Sequence, residues 1–267
     1  MKNLNEKPKV KKVVNNQYVR LLIRFGCLTR GILFGLVGFY TIQFVRGAIN
    51  SAKGTSEVLL AINNLPGGHI LLIIIIIGLL GYAGWSIIRA IVIKRIDLKL
   101  SYLGSAVSYL LLIIPIIALV LNISKGSSSG NDLLIKVLYS PHGNLILDFI
   151  GISTIISGIF QNYVIIRTKD LNDLWSEELE GKIRKPFMYI SKIGIIFRNI
   201  VFMLIGYFFF EAGNTFNPGD IKNINEVLDS VKNMPNGYLI LYAIGIGLIC
   251  FGIYSAALCF FVDIPES

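Results

Sequence analysis

The stretch from Ile70 to Gly84 reads ILLIIIIIGLLGYAG. It carries no charge, so a helix built from it has no polar face to turn to water. A helix of a soluble domain keeps one apolar stripe and a polar remainder. Continued to residue 92, this run exceeds the roughly 20 apolar residues that cross a bilayer. The whole chain has the same character. Of its 267 residues, 54% are hydrophobic and 15% are charged, where a soluble domain carries about 25% charged. A simple soluble domain, a disordered chain and a disulfide scaffold are therefore excluded. Cys27, Cys250 and Cys259 all lie in apolar stretches without C-x-x-C spacing. They read as small apolar packing residues.

With this run included, six segments are long and apolar enough to span: 27–46, 70–92, 101–121, 145–166, 193–211 and 239–261. Backbone groups in lipid must be satisfied within the segment, so each span is expected to be a helix. The expected fold is an all-α membrane protein of six transmembrane helices. The segment up to Phe25 is polar and basic and shows no signal-peptide cleavage site, so the first span is expected to stay as an anchor. Lysine and arginine set the orientation. The N-terminal tail and the loops after spans two and four hold 17 of them. The other three loops hold six, and Arg30 and Arg198 lie inside spans. Both termini are therefore expected in the cytoplasm. The net charge of +9 then reflects topology and attraction to anionic lipid, and no nucleic-acid partner is expected.

The chain also repeats itself. Gly26, Arg30, Ile32, Phe34, Leu36 and Gly38 match Gly194, Arg198, Ile200, Phe202, Leu204 and Gly206. Glu57, Asn64, Pro66, Gly68, Leu72, Gly78 and Leu79 match Glu226, Asn233, Pro235, Gly237, Leu241, Gly247 and Leu248. A weaker copy lies between, with Gly104 in the place of Gly26, Ser108 of Arg30, Asp132 of Glu57, and Pro141 and Gly143 of Pro66 and Gly68. The expected plan is three tandem two-helix repeats related by an axis along the membrane normal. Their bounds are 20–97, 98–170 and 187–262. A basic tail (1–19), a cytoplasmic linker (171–186) and a short tail (263–267) complete the chain. Ser56, Asn131 and Asn225 are N-cap types, each followed by a carboxylate suited to a helix N-terminus. The apolar residues after them predict three short interfacial helices in the outer loops, stopped by Pro66-Gly67-Gly68, Pro141-His142-Gly143 and Pro235-Asn236-Gly237.

Gly26…Thr29-Arg30-Gly31…Gly38, the P-x-G turn and Gly78…Gly81-Tyr82…Trp85 together resemble a bacterial membrane family, the domain of unknown function 1206. The resemblance covers about Arg20 to Phe261. It implies three tandem two-helix modules in the inner membrane, and it implies no activity and no catalytic residues. The second copy departs from it at Ser108, and Pro115 is expected to interrupt its first helix.

Candidate site residues are few. Charged side chains within a membrane are functional candidates by default. Arg30 and Arg198 are expected about one turn from the cytoplasmic helix ends, where a long side chain snorkels to the headgroups. The two readings are an interfacial anchor, favoured by that shallow depth, and a lipid-headgroup or anion site. Asp148, Glu211 and Asp263 fall near span ends, which argues against a charge-relay pump. Ser153, Thr154 and Ser157 read as inter-helix hydrogen-bonding groups. Gly31, Gly35 and Gly38 share one face of span one, Gly245, Gly252 and Ala256 one face of span six, and Gly78 and Gly81 a strip of span two. These small residues are expected to pack helices closely. Tyr82, Trp85 and Tyr254 read as an aromatic belt. His69 and His142 make a poor metal site, and no metal or other cofactor is expected.

The function these features favour is that of a non-enzymatic multi-pass protein of the bacterial inner membrane, a packing, scaffold or partner-binding element. The alternative is a small-solute channel or permease round the pseudo-symmetry axis. The partners implied are the bilayer, its anionic headgroups, and a second copy or another membrane protein.

Overall fold

The computed structural model describes residues 17–50, 53, 55–92, 96–121, 137–167, 184–217, 221–222 and 224–261. Eight helices are found among them: α1 (Gln17–Val45), α2 (Thr55–Asn63), α3 (Gly68–Val92), α4 (Ile96–Val120), α5 (Gly143–Arg167), α6 (Arg184–Thr215), α7 (Ile224–Lys232) and α8 (Gly237–Phe261). Five are long and apolar enough to cross a membrane, within Leu21–Val45, Gly68–Ile91, Gly143–Arg167, Pro186–Thr215 and Gly237–Cys259. α4 matches α3 in length, and Pro115 does not interrupt it. α1 and α6 begin well before the spans read from hydropathy, at Gln17 and Arg184. Their first turns carry polar residues that window averaging discounts, yet the backbone continues as helix. The 1–16 tail, the expected Asp132 helix with its Asn131 cap, the greater part of the 171–186 linker and the 262–267 tail lie outside the described residues.

The long helices form a ring in chain order: α1, α3, α4, α5, α6, α8 and back to α1. The most extensive packing joins α1 to α8, first to last, followed by α5 to α6. Glycine explains the first of these. A Cβ on Gly38 would lie 2.7 Å from the Gly245 carbonyl oxygen and 2.9 Å from the Ile249 nitrogen. A Cβ on Gly31 would lie 2.8 Å from the Gly252 oxygen. The glycine faces of the first and last spans are therefore covered by each other, within one chain. Gly35 is the exception among the expected packing glycines, because a Cβ there meets nothing within 4 Å. It points off the contact line, and only its backbone is approached from Gly252. Gly78 and Gly81 pack against Thr29 and Leu22 of α1.

The three P-x-G turns share one geometry. Gly67, His142 and Asn236 have φ of 78°, 67° and 59°, the left-handed region. The glycine after each donates its N–H three residues back, Gly68 to Leu65 at 2.8 Å, Gly143 to Ser140 at 2.9 Å and Gly237 to Met234 at 2.9 Å. α2 and α7 open at Thr55 and Ile224, so the backbone of Ser56 and Asn225 lies in their first turns. Asn236→Val is expected to cost about 1–2 kcal/mol, because a β-branched residue resists the left-handed region. Asn236→Gly is expected to be neutral. Thermal denaturation of the two purified variants separates these outcomes.

Candidate functional site

The two arginines that sequence places inside spans are buried in the bundle. Arg30 is 1% exposed and Arg198 4%. α1 starts at Gln17 and α6 at Arg184, which puts each arginine about 20 Å from the start of its helix at roughly 1.5 Å per residue. Both side chains are enclosed by the bundle, and a snorkelling anchor, which reaches out to headgroups, does not fit that burial.

What surrounds them is polar but neutral. Arg198 donates from Nη1 to the Tyr109 hydroxyl at 3.1 Å. Its Nη2 donates to Gln161 Oε1 and Asn199 Oδ1, both at 2.8 Å. Asn199 Nδ2 in turn donates to Asn162 Oδ1, and Gln161 Nε2 to Ser157 Oγ. Arg30 donates from Nε to Ser255 Oγ at 2.6 Å, and Ser255 Oγ donates to the Cys27 carbonyl at 2.8 Å. The Arg30 guanidinium carbon lies 3.9 Å from the Tyr82 ring centre. Both guanidiniums share the Phe251 ring, at 4.9 and 5.0 Å from its centre. The two cations are therefore close neighbours, joined through one ring. Among the described residues, no carboxylate partners either one. Arg30 Nη2 is buried and has no hydrogen-bond partner among the described residues.

An arginine at a span centre costs about 2.5–3.5 kcal/mol on insertion scales. Hydrogen bonds to a charged group contribute about 1.5–3 kcal/mol and a desolvated cation–π contact about 2 kcal/mol. The cluster can therefore hold its charge without a counter-ion. It remains cationic, with one donor to spare. Two like charges about 10 Å apart, the widest separation that one shared ring allows, repel by about 1.7 kcal/mol at an effective dielectric of about 20. An anion bound beside the pair offsets that repulsion.

Several residues here were not singled out by sequence as site residues: Tyr109, Gln161, Asn162, Asn199 and Ser255. Tyr82, Trp85 and Tyr254 are buried and form no belt. Tyr82 stacks on Arg30 instead. Of the three hydroxyls on α5, only Ser157 joins the cluster. Ser153 and Thr154 donate back to the Ile150 carbonyl of their own helix.

A signal for the missed acceptors does exist. Ser86, Gln161 and Ser255 stand at one common spacing after Gly68, Gly143 and Gly237, the glycines that close the P-x-G turns. Across the α1–α8 contact, Arg30 meets Ser255. Across α6–α5, the aligned Arg198 meets the aligned Gln161. Across α4–α3 the aligned pair is Ser108 and Ser86. Ser108 Oγ donates back to the Gly104 carbonyl at 2.8 Å, and Ser86 Oγ is buried without a partner among the described residues.

Comparison with known proteins adds a family and no chemistry. No solved structure matches the chain. The uncharacterized protein YxxB of Bacillus subtilis (strain 168) is 26% identical over 246 residues, which span 89% of each chain. The family model described as Domain of Unknown Function (DUF1206) matches residues 25–92 and again 193–261. The first match holds Arg30 and Ser86, and the second holds Arg198 and Ser255. The chain thus belongs to the DUF1206 family, and it carries the family's unit at least twice.

Proposed function

We propose that this is a non-enzymatic, multi-pass protein of the bacterial plasma membrane that works by binding an anionic group at the Arg30–Arg198 pair. The observation that carries this is two buried guanidiniums whose hydrogen-bond partners among the described residues are all neutral. A purely structural pair would gain more from a carboxylate, since each buried charge otherwise keeps its desolvation cost. The cluster offers guanidinium, amide, hydroxyl and phenol groups, which suit recognition better than bond making. The partners on this reading are the bilayer, anionic headgroups, and a protein docking on lipid-facing sides, since the α1 and α8 glycine faces are already covered.

On the same reading α4 is the sixth span, and the chain is three two-helix repeats with both termini in the cytoplasm. Support comes from the lysine and arginine asymmetry and from recurring contacts. Gly26 backs onto Tyr82, Gly104 onto Ser157 and Gly194 onto Phe251, which are aligned positions. In intact cells on a cysteine-free background, an external thiol reagent is expected to label a cysteine at 57 and none at 5 or 175. The reverse pattern overturns the orientation.

The binding reading is tested by thermal unfolding in neutral detergent. Phosphate, or phosphatidylglycerol against phosphatidylcholine, is expected to raise the midpoint of the native chain. Saturation at about a hundred times Kd is worth about 2.7 kcal/mol. Arg30→Gln with Arg198→Gln is expected to abolish the response. An unresponsive native chain sinks the reading. A permease is the second reading, favoured by a helix ring in chain order round a cationic interior. Against it, Phe34 lies one turn beyond Arg30 and stacks edge-on with Phe202 and Phe251 at 6.3 and 5.1 Å, filling the interior there. Anion flux into liposomes above that of empty vesicles would favour the permease.

A further inference from the structure

We infer that the bound anion is an oxyanion, a phosphate group, and that its seat is the α3–α4 interface, where Ser86 Oγ and Arg30 Nη2 donate to it. This rests on the binding reading above and locates its ligand. The ring has three interfaces between successive repeats, and two follow one rule. At α1–α8 and α6–α5, a first-helix arginine meets a returning-helix acceptor, Ser255 or Gln161. In the same two interfaces a glycine pair closes the backbones, Gly38 with Gly245 and Gly206 with Gly151. The third interface breaks the rule in both places. Ile116 and Ile76 stand where the glycine pairs stand, so the backbones cannot approach as closely. Ser108 stands where the arginine stands, and it turns its hydroxyl to its own helix.

The broken interface keeps its acceptor position without the group that fills it elsewhere. Ser86 is 0% exposed and its hydroxyl has no partner among the described residues. A buried donor left unmet carries its full desolvation cost, so the site gains from any acceptor that reaches it. Tyr82, one helical turn before Ser86 on α3, carries the Arg30 guanidinium on its ring. One orphaned donor, Ser86 Oγ, is thus on α3, and the other, Arg30 Nη2, belongs to a guanidinium that α1 lays against α3 one turn away. A serine hydroxyl and a guanidinium N–H both donate, and a tetrahedral oxyanion accepts from both. Ser86 and Arg30 are both enclosed, at 0% and 1% exposed. A phosphate group presents the same oxygen acceptors whether it is free or carried by a lipid headgroup.

The test uses the full chain in a non-ionic, phosphate-free detergent. One arm adds inorganic phosphate at constant ionic strength. The other adds phosphatidylglycerol and omits inorganic phosphate. The variants are Ser86→Ala and Ser86→Thr, beside the arginine double variant. Without anion, Ser86→Ala is expected to melt at or above the native midpoint, because an orphaned hydroxyl is removed. With anion, its apparent affinity is expected to fall about tenfold, and Ser86→Thr is expected to restore it. A response in the first arm marks a soluble oxyanion and one in the second a headgroup, and either supports the seat. If Ser86→Ala keeps the full response while the arginine double variant loses it, the seat is wrong and the binding reading stands. If the native chain responds in neither arm, both fall. If Ser86→Ala melts well below the native chain without anion, Ser86 is structural and the seat is wrong.

Discussion

Arg198→Lys is expected to destabilise the protein by about 2–4 kcal/mol. The guanidinium satisfies three acceptors in three directions, Tyr109 on α4, Gln161 on α5 and Asn199 on its own helix. A lysine ammonium is a compact point at the end of a flexible stem and lacks the planar fork. It cannot reach all three, and each buried acceptor left unmet costs about 1–3 kcal/mol. A snorkelling anchor would behave differently, since any cation that reaches the headgroups would serve. The measurement is reversible unfolding of the purified variant in mixed micelles. A change below about 0.5 kcal/mol, the span of an ordinary surface substitution, would return Arg198 to the role of a headgroup anchor.

The reversal at Arg198 shows where sequence stops being informative. Hydropathy finds the spans because lipid tests the average character of a segment. It finds helix ends poorly, because α1 and α6 run on through polar turns that no lipid average includes. Nor does hydropathy report which side chains the bundle encloses, and that burial decides the chemistry of Arg30 and Arg198. The glycine faces of α1 and α8 were legible as packing surfaces, since small residues at helical spacing have few other uses in lipid. That they pack on each other was not, because nothing in the spacing says which helices are neighbours. The P-x-G turns were legible for a local reason, since proline and glycine together stop a helix and turn the chain. Gln161 and Ser255 became visible only after Gly143 and Gly237 had been aligned and an arginine seen opposite. One looks like an ordinary polar residue and the other like a small packing residue until the ring closes.

The α1–α8 contact carries the second large effect. Gly38→Leu is expected to cost more than about 3 kcal/mol or to prevent folding. Its Cβ would press on the Gly245 oxygen and the Ile249 nitrogen at 2.7 and 2.9 Å, and backbone atoms cannot move aside as a flexible side chain can. Separating α1 from α8 would also pull Arg30 from Ser255, so overpacking and a stripped charge act together. Gly35, three residues earlier on the same helix, makes the control. Gly35→Ala meets no atom within 4 Å and replaces the weaker helix former, so it is expected to be neutral or to stabilise by up to about 1 kcal/mol. Leu36→Ala falls between, because Leu36 is partly buried against the main core and its loss leaves a small void. Sequence spacing alone favours Gly35 over Leu36 as the sensitive position, so the order of the three variants is diagnostic. Folded yield and thermal midpoint in one detergent are expected to rank Gly35→Ala first, Leu36→Ala second and Gly38→Leu last. If Gly38→Leu matches Gly35→Ala, α1 and α8 do not meet along this glycine line.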